Sequence, residues 1–174
     1  VSSAASDVYK RQVLAPGFRL GYILAPKHVL DACMELKQAM DLHTSTFTQL
    51  ICARVLSEGL FKDHLPMVRA LYRRQARAML DAMEREMPQH PELSWTKPEG
   101  GMFLWMKLPK HIDAAELMKA VLATDVPVGF VPGFAFFAND PKPANYLRLS
   151  FVTVPVERIN AGVKSLADTL RKFL

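Results

Sequence analysis

The sequence predicts an α/β protein in two parts, the closing stretch of one α/β domain followed by a smaller α+β domain. Three features lead there. Residues 18–25 (FRLGYILA) form a nearly continuous apolar run, helical periodicities succeed one another to about residue 87, and beyond them short strands alternate with helices. A length of 174 residues suits about one domain with a sizeable core. Hydrophobic residues at 50% and charged residues at 22% match globular averages, which excludes disordered, collagen-like and disulfide-scaffold classes. The longest apolar runs, residues 126–131 and 134–138, are punctuated by Pro and Gly and fall far short of the roughly 20 residues of a membrane helix. No membrane partner is expected.

Residues 1–12 (VSSAASDVYKRQ) are set aside first, because they carry neither a signal-peptide core nor a periodicity that continues past residue 12. Residues 7–12 (DVYKRQ) are the literal translation of GAT GTG TAT AAG AGA CAG, which resembles a transposon adapter used in preparing sequencing libraries. On that reading they are a non-native leader, native sequence begins near Val13, and the frame has lost its N-terminal part. The net charge then drops from +5 to +4, since Asp7, Lys10 and Arg11 leave together.

Residues 18–25, bounded by Pro16-Gly17 and Pro26, read as a strand buried on both faces. Pro26 suits a helix start, and Val29, Leu30, Cys33, Met34, Leu36, Lys37 and Met40 continue at helical spacing to about Leu42. Ser45 or Thr46 can cap a second helix through Leu50, Ile51, Val55 and Leu56, which Gly59 stops. Residues 61–87 stay helical for some seven turns, interrupted only by Pro66, a length that suits a connection between two lobes. Residues 93–96 and 102–108 read as strands joined through Gly100-Gly101, and Asp113 caps a short helix to about Ala123. A strand over 126–131, a turn at Pro132-Gly133, a strand over 146–151 and a helix over 156–173 complete the chain. A chain opening on a buried strand without partners is not a complete sheet, which supports truncation separately.

The basic residues do not form a nucleic-acid patch. Arg69, Arg73, Arg74, Arg77 and Arg85 alternate with Leu71, Met79, Leu80 and Met83 at helical spacing and read as a solvated helix face, so no nucleic-acid partner is expected. Cys33 and Cys52 lie in apolar helical patterns without metal-ligand spacing, and read as buried reduced thiols of a cytoplasmic protein. His43, His64, His90 and His111 are scattered through polar contexts, and no metal is implied. Ser45, Thr46 and Thr48 have no triad partners, and neither GxGxxG nor a Walker loop occurs. Met34, Met40, Met79, Met83, Phe134, Phe136 and Phe137 read as core.

Two arginines stand out. Arg19, one residue into the predicted buried strand, needs a fixed anion, either a ligand phosphate or carboxylate or a structural Asp or Glu. Arg148 lies mid-strand in NYLRLSF, on the same face as Tyr146 and Ser150, and its planar fork suits bidentate capture of a carboxylate. The alternative for Arg148 is a strand arginine at a lobe edge.

Residues 13–21 (VLAPGFRLG) resemble the segment following the cofactor lysine in class I/II aminotransferases of fold type I, whose pattern is roughly S-x-S-K-x-L-A-P-G-x-R-x-G. Residues 100–105 (GGMFLW) resemble that family's small-domain hairpin, and residues 131–133 (VPG) with 145–151 resemble its late stretch bearing the substrate-carboxylate arginine. The similarity runs over residues 13–174, and DLHTS at 41–45 leans toward 2-aminoadipate and kynurenine-type aminotransferases and the aminotransferase-like domains of certain transcription regulators. The resemblance implies residues 13–60 ending a large cofactor domain and residues 61–174 forming a connecting helix and small domain. It implies pyridoxal 5′-phosphate as cofactor, amino acid and 2-oxo acid substrates, and a homodimeric parent. Arg19 would then bind the cofactor phosphate and Arg148 the substrate α-carboxylate. Gln12 departs from the pattern, because it stands where the Schiff-base lysine belongs, and an amide cannot form that imine. The chain is therefore expected to be an inactive piece of an aminotransferase, with the effector-sensing domain of a regulator as the alternative.

Overall fold

The computed structural model describes residues 16–138 and 142–174. The chain divides into two compact units between Leu71 and Tyr72, and the division falls inside a single long helix.

The first unit is helical. After a 3₁₀ turn at Pro16–Phe18, α1 covers Lys27–Met40 and α2 covers Thr46–Ser57. Pro26, at φ −57°, is preset for the start of α1, and Lys27–Asp31 and Lys37–Asp41 pairs brace its surface one turn apart. Ser45 is the N-cap of α2 but makes no side-chain capping bond; its carbonyl instead accepts from the Thr48 hydroxyl. Gly59, at φ +76°, turns the chain out of α2 in a conformation that glycine adopts without penalty. The predicted strand over 18–25 does not form, and these residues pair with no strand among the described residues. A two-face-buried strand exists only between neighbouring strands. Without them Ile23 and Leu24 are 60% and 77% exposed.

Helix α3, Leu60–Glu86, carries Pro66 within its second turn, where the imide nitrogen cannot donate to the Lys62 carbonyl. Its C-terminal half buries Gln75, Met79, Ala82 and Met83, spaced for one face, while Arg69, Arg73, Arg74, Arg77 and Arg85 stay exposed as the sequence suggested.

The second unit is a four-stranded antiparallel sheet with helices packed on it. The strands are β1 (Ser94–Trp95), β2 (Phe103–Lys107), β3 (Val131–Pro132) and β4 (Tyr146–Ser150), in spatial order β1-β2-β4-β3. Helix α4, Ala114–Leu122, starts at Asp113, whose carboxylate accepts from the Ala115 and Glu116 amides. Helix α5, Val156–Leu170, buries Ile159, Val163, Leu166, Ala167 and Leu170 at helical spacing. These residues, the α3 methionines, Leu117 and Val121 of α4, and Leu104, Met106, Leu147 and Leu149 of the sheet form one core. The strand expected over 126–131 is reduced to Val131–Pro132. Pro127 and Gly129 explain this, the first lacking a ladder donor and the second weakening extended structure.

Candidate functional site

Alternation along β4 turns Leu147 and Leu149 into the core, 0% and 3% exposed, and places Tyr146, Arg148 and Ser150 on the other face. The register then sets Arg148 opposite Trp105 of β2 on one side and Val131 of β3 on the other. Arg148 is thus at the centre of a three-strand face, as its mid-strand position suggested.

The start of β4 is anchored by Asn145, which is buried. Asn145 donates its side-chain amide to the Leu108 carbonyl at 2.7 Å, and the Leu108 amide donates to the Asn145 carbonyl at 2.8 Å. These bonds fix where β4 begins against the end of β2, and so which residue faces Trp105. Trp105 is fixed in turn by Thr96: its amide donates to the Thr96 hydroxyl, and its carbonyl accepts from the Thr96 amide.

Aromatic rings surround the arginine. The Arg148 guanidinium carbon lies over the Phe103 ring, 4.0 Å from its centroid, and over that of Phe136 at 4.9 Å. Trp105 stacks on Tyr146 at 5.9 Å and meets Phe136 edge-on at 5.5 Å, and Phe137 adds a tilted contact with Tyr146 at 5.1 Å. Phe136 ends a 3₁₀ turn, Gly133–Phe136, that lies directly on the sheet. Glycine at 133 permits that approach, since a β-carbon there would stand 2.5 Å from Tyr146 Cβ and 2.9 Å from the Trp105 ring. Arg148 makes no ion pair among the described residues. A cation fixed by backbone register and aromatic faces, with no carboxylate partner among the described residues, is equipped to take an external anion.

Arg19 is placed differently from the expectation. It is exposed and follows the 3₁₀ turn with φ +54°, an uncommon conformation for a residue bearing a side chain. It makes no hydrogen bond or ion pair among the described residues, so the structural ion-pair alternative finds no partner there. Gln12 lies outside the described residues. Cys33 and Cys52 are free thiols, half-buried rather than buried. Met34 and Met40, expected in the core, are 60% and 83% exposed, because α1 buries no residue. Phe134 and Phe136 are also not core, at 45% and 50% exposed. The sequence reading missed Phe103, Trp105 and Phe136 as neighbours of Arg148. The i, i+2 spacing of Phe103 and Trp105 announced a shared face, but not that β4 would lie beside it.

A profile of the family described as Aminotransferase class I and II matches residues 12–166. The chain belongs to that family. Among aminotransferases of known sequence, it is 42% identical to aromatic-amino-acid aminotransferase 1 of Thermococcus litoralis, over 92% of this chain and 37% of that protein. It is also 42% identical to 2-aminoadipate transaminase of Thermus thermophilus, over 94% of this chain and 40% of that one. The solved multiple substrate aminotransferase of Thermococcus profundus superposes with a TM-score of 0.75 at 40% identity, over 93% of this chain and 39% of that chain. The α-aminoadipate aminotransferase of Thermus thermophilus, solved with N-(5′-phosphopyridoxyl)-L-leucine, gives 0.74 at 41% identity, over 92% of this chain and 40% of that chain. This aminotransferase chain therefore has the α/β fold of the fold type I enzymes and resembles their 2-aminoadipate and kynurenine-type subgroup. It spans about two fifths of the length of these relatives.

Proposed function

We propose that the chain is the C-terminal part of a pyridoxal-phosphate-dependent aminotransferase that moves an amino group between an amino acid and a 2-oxo acid. Residues 13–60 belong to its large domain and residues 61–174 to its connecting helix and small domain. The observation that carries the reading is Arg148, set on the sheet face with aromatic neighbours and no carboxylate partner among the described residues. Arg148 holds the substrate α-carboxylate through its guanidinium edge. Arg19 holds the cofactor phosphate.

The donor chemistry fits that group in part. Arg19 offers only donors, is exposed and is unpaired among the described residues, which suits a phosphate. Gln12 offers an amide where the family pattern has an imine-forming lysine, so the chain with Gln12 is inactive by itself. The cofactor, when bound, supplies an electron sink for charge left at the α-carbon of the amino acid. A second reading, the effector-sensing domain of a transcription regulator, draws on similarity to a helix-turn-helix regulator of Bacillus subtilis, 26% identical over 94% of this chain. A winged-helix pattern encoded upstream of residue 13 would select that reading.

The test is kinetic, in the full-length parent with lysine at position 12. Truncating one member of a buried charge pair costs about 2–5 kcal/mol. Arg148→Ala is accordingly expected to lower kcat/KM for the amino acid by roughly thirtyfold or more, with cofactor retention unchanged. Arg19→Ala is expected to do the reverse, weakening cofactor retention and regaining activity when pyridoxal phosphate is added. Exchange of the two phenotypes would overturn the assignment.

A further inference from the structure

Among the described residues Arg148 is held by rings rather than by charges, and the two rings come from different elements, a strand and a 3₁₀ turn. Phe103 is a diagonal neighbour on β2, where its own register partner is Ser150. Phe136 reaches Arg148 from the 3₁₀ turn that follows β3. Both lie within cation–π distance of the guanidinium carbon, at 4.0 and 4.9 Å. An aromatic face engages the flat side of a guanidinium, whereas a carboxylate takes the N–H donors that point outward in its plane. The two contacts therefore do not compete. A carboxylate neighbour would hold the arginine as firmly but would occupy the same donors that a ligand needs.

Resting on the assignment of Arg148 as the carboxylate-binding arginine, we propose that Phe103 and Phe136 are positioning residues. Their rings fix the guanidinium on the sheet face and leave its N–H edge free for the ligand. The two phenylalanines are 38% and 50% exposed, so their place in the sequence is not explained by core packing. Gly133 belongs to the same device, because only a residue without a β-carbon lets the turn bring Phe136 so close to the sheet.

The test uses the 174-residue chain, with pyruvate as carboxylate probe and ethyl pyruvate as the ester control, read by NMR of the Arg148 side-chain Nε–H. In the unmodified chain that resonance is expected to carry an upfield ring-current shift and to move saturably with pyruvate but not with the ester. Phe103→Leu and Phe136→Leu, both conservative at exposed positions, are each expected to remove part of the upfield shift. Each should also weaken pyruvate binding about three- to tenfold, the range that loss of one cation–π contact implies. The melting temperature should hold. Phe136→Tyr, which keeps a ring, is expected to restore both signals, and Phe134→Leu in the same turn is expected to change neither. Unchanged pyruvate affinity in both leucine variants, while Arg148→Gln abolishes binding, would overturn the positioning role and leave the Arg148 assignment standing. Saturable binding that is absent from the unmodified chain, or that persists in Arg148→Gln, overturns the Arg148 assignment itself.

Discussion

Glycine at position 133 is required by its neighbours. A methyl group there would meet the Tyr146 β-carbon at 2.5 Å and the Tyr146 carbonyl carbon at 2.9 Å. The second of these is backbone within the sheet and cannot rotate away. Gly133→Ala is therefore expected to lift the turn off the sheet, at a cost of about 1–3 kcal/mol typical of overpacking. Chemical denaturation measures the cost, and loss of the Phe136 ring-current shift at Arg148 reports the displacement. A variant as stable as the parent with that shift intact would show that the turn has slack. Arg148 was legible from sequence because strand alternation alone places it with Tyr146 and Ser150, away from Leu147 and Leu149. Its ring neighbours were not, since Phe103 and Phe136 reach it through the β2–β4 pairing and a close turn approach, and no local pattern encodes either.

Elements defined by their own periodicity were readable, and those defined by partners were not. Helices α1 to α5 follow the apolar spacing, the stop at Gly59 and the N-cap at Asp113, whereas the run over 18–25 has strand chemistry without a neighbouring strand among the described residues. The exposed charges add a pH dependence that belongs to elements. Glu92 accepts from the Lys110 amide at 2.9 Å, tying the approach to β1 to the loop after β2, and this bond holds its carboxyl below the usual range. On α5, Asp168 is lowered first by its hydrogen bond with Lys164, with Arg171 adding to the effect. Both groups bind protons less tightly folded than unfolded. Their contribution is fully present above the ordinary carboxyl pKa of about 4 and fades as pH falls through the lowered folded values. Glu92→Gln and Asp168→Asn are each expected to flatten the loss of urea stability between about pH 6 and about pH 3. An unchanged slope in both variants would remove these carboxylates from the acid response.

At the scale of the whole molecule, the two units differ in how much they bury. Among the described residues, the unit beginning at Tyr72 holds all of the buried hydrophobic core, from Met79 to Leu170. Helices α1 and α2 bury no residue, and Met34, Leu36, Met40, Phe47 and Leu50 are each more than half exposed. Isolated helices of 14 and 12 residues are marginal in water without a packed face. Surface ion pairs such as Lys37–Asp41 add at most a few tenths of a kcal/mol each. Local opening should therefore be far easier in α1 and α2 than in the sheet and α5, where Leu104, Met106, Leu147 and Leu166 are essentially inaccessible. Native-state amide hydrogen exchange on the 174-residue chain is expected to show β2, β4 and α5 protected at least about a hundredfold more than α1 and α2, a gap of roughly 3 kcal/mol in opening free energy. Removing the sheet's packing, as in Leu147→Ala, should lower protection in β2, β4 and α5 together while leaving α1 and α2 where they were, because their amides already exchange by local opening. Equal protection across both units in the unmodified chain would mean that the exposed apolar faces of α1 and α2 are covered in solution, and self-association measured at the same concentration would then show whether a second copy covers them.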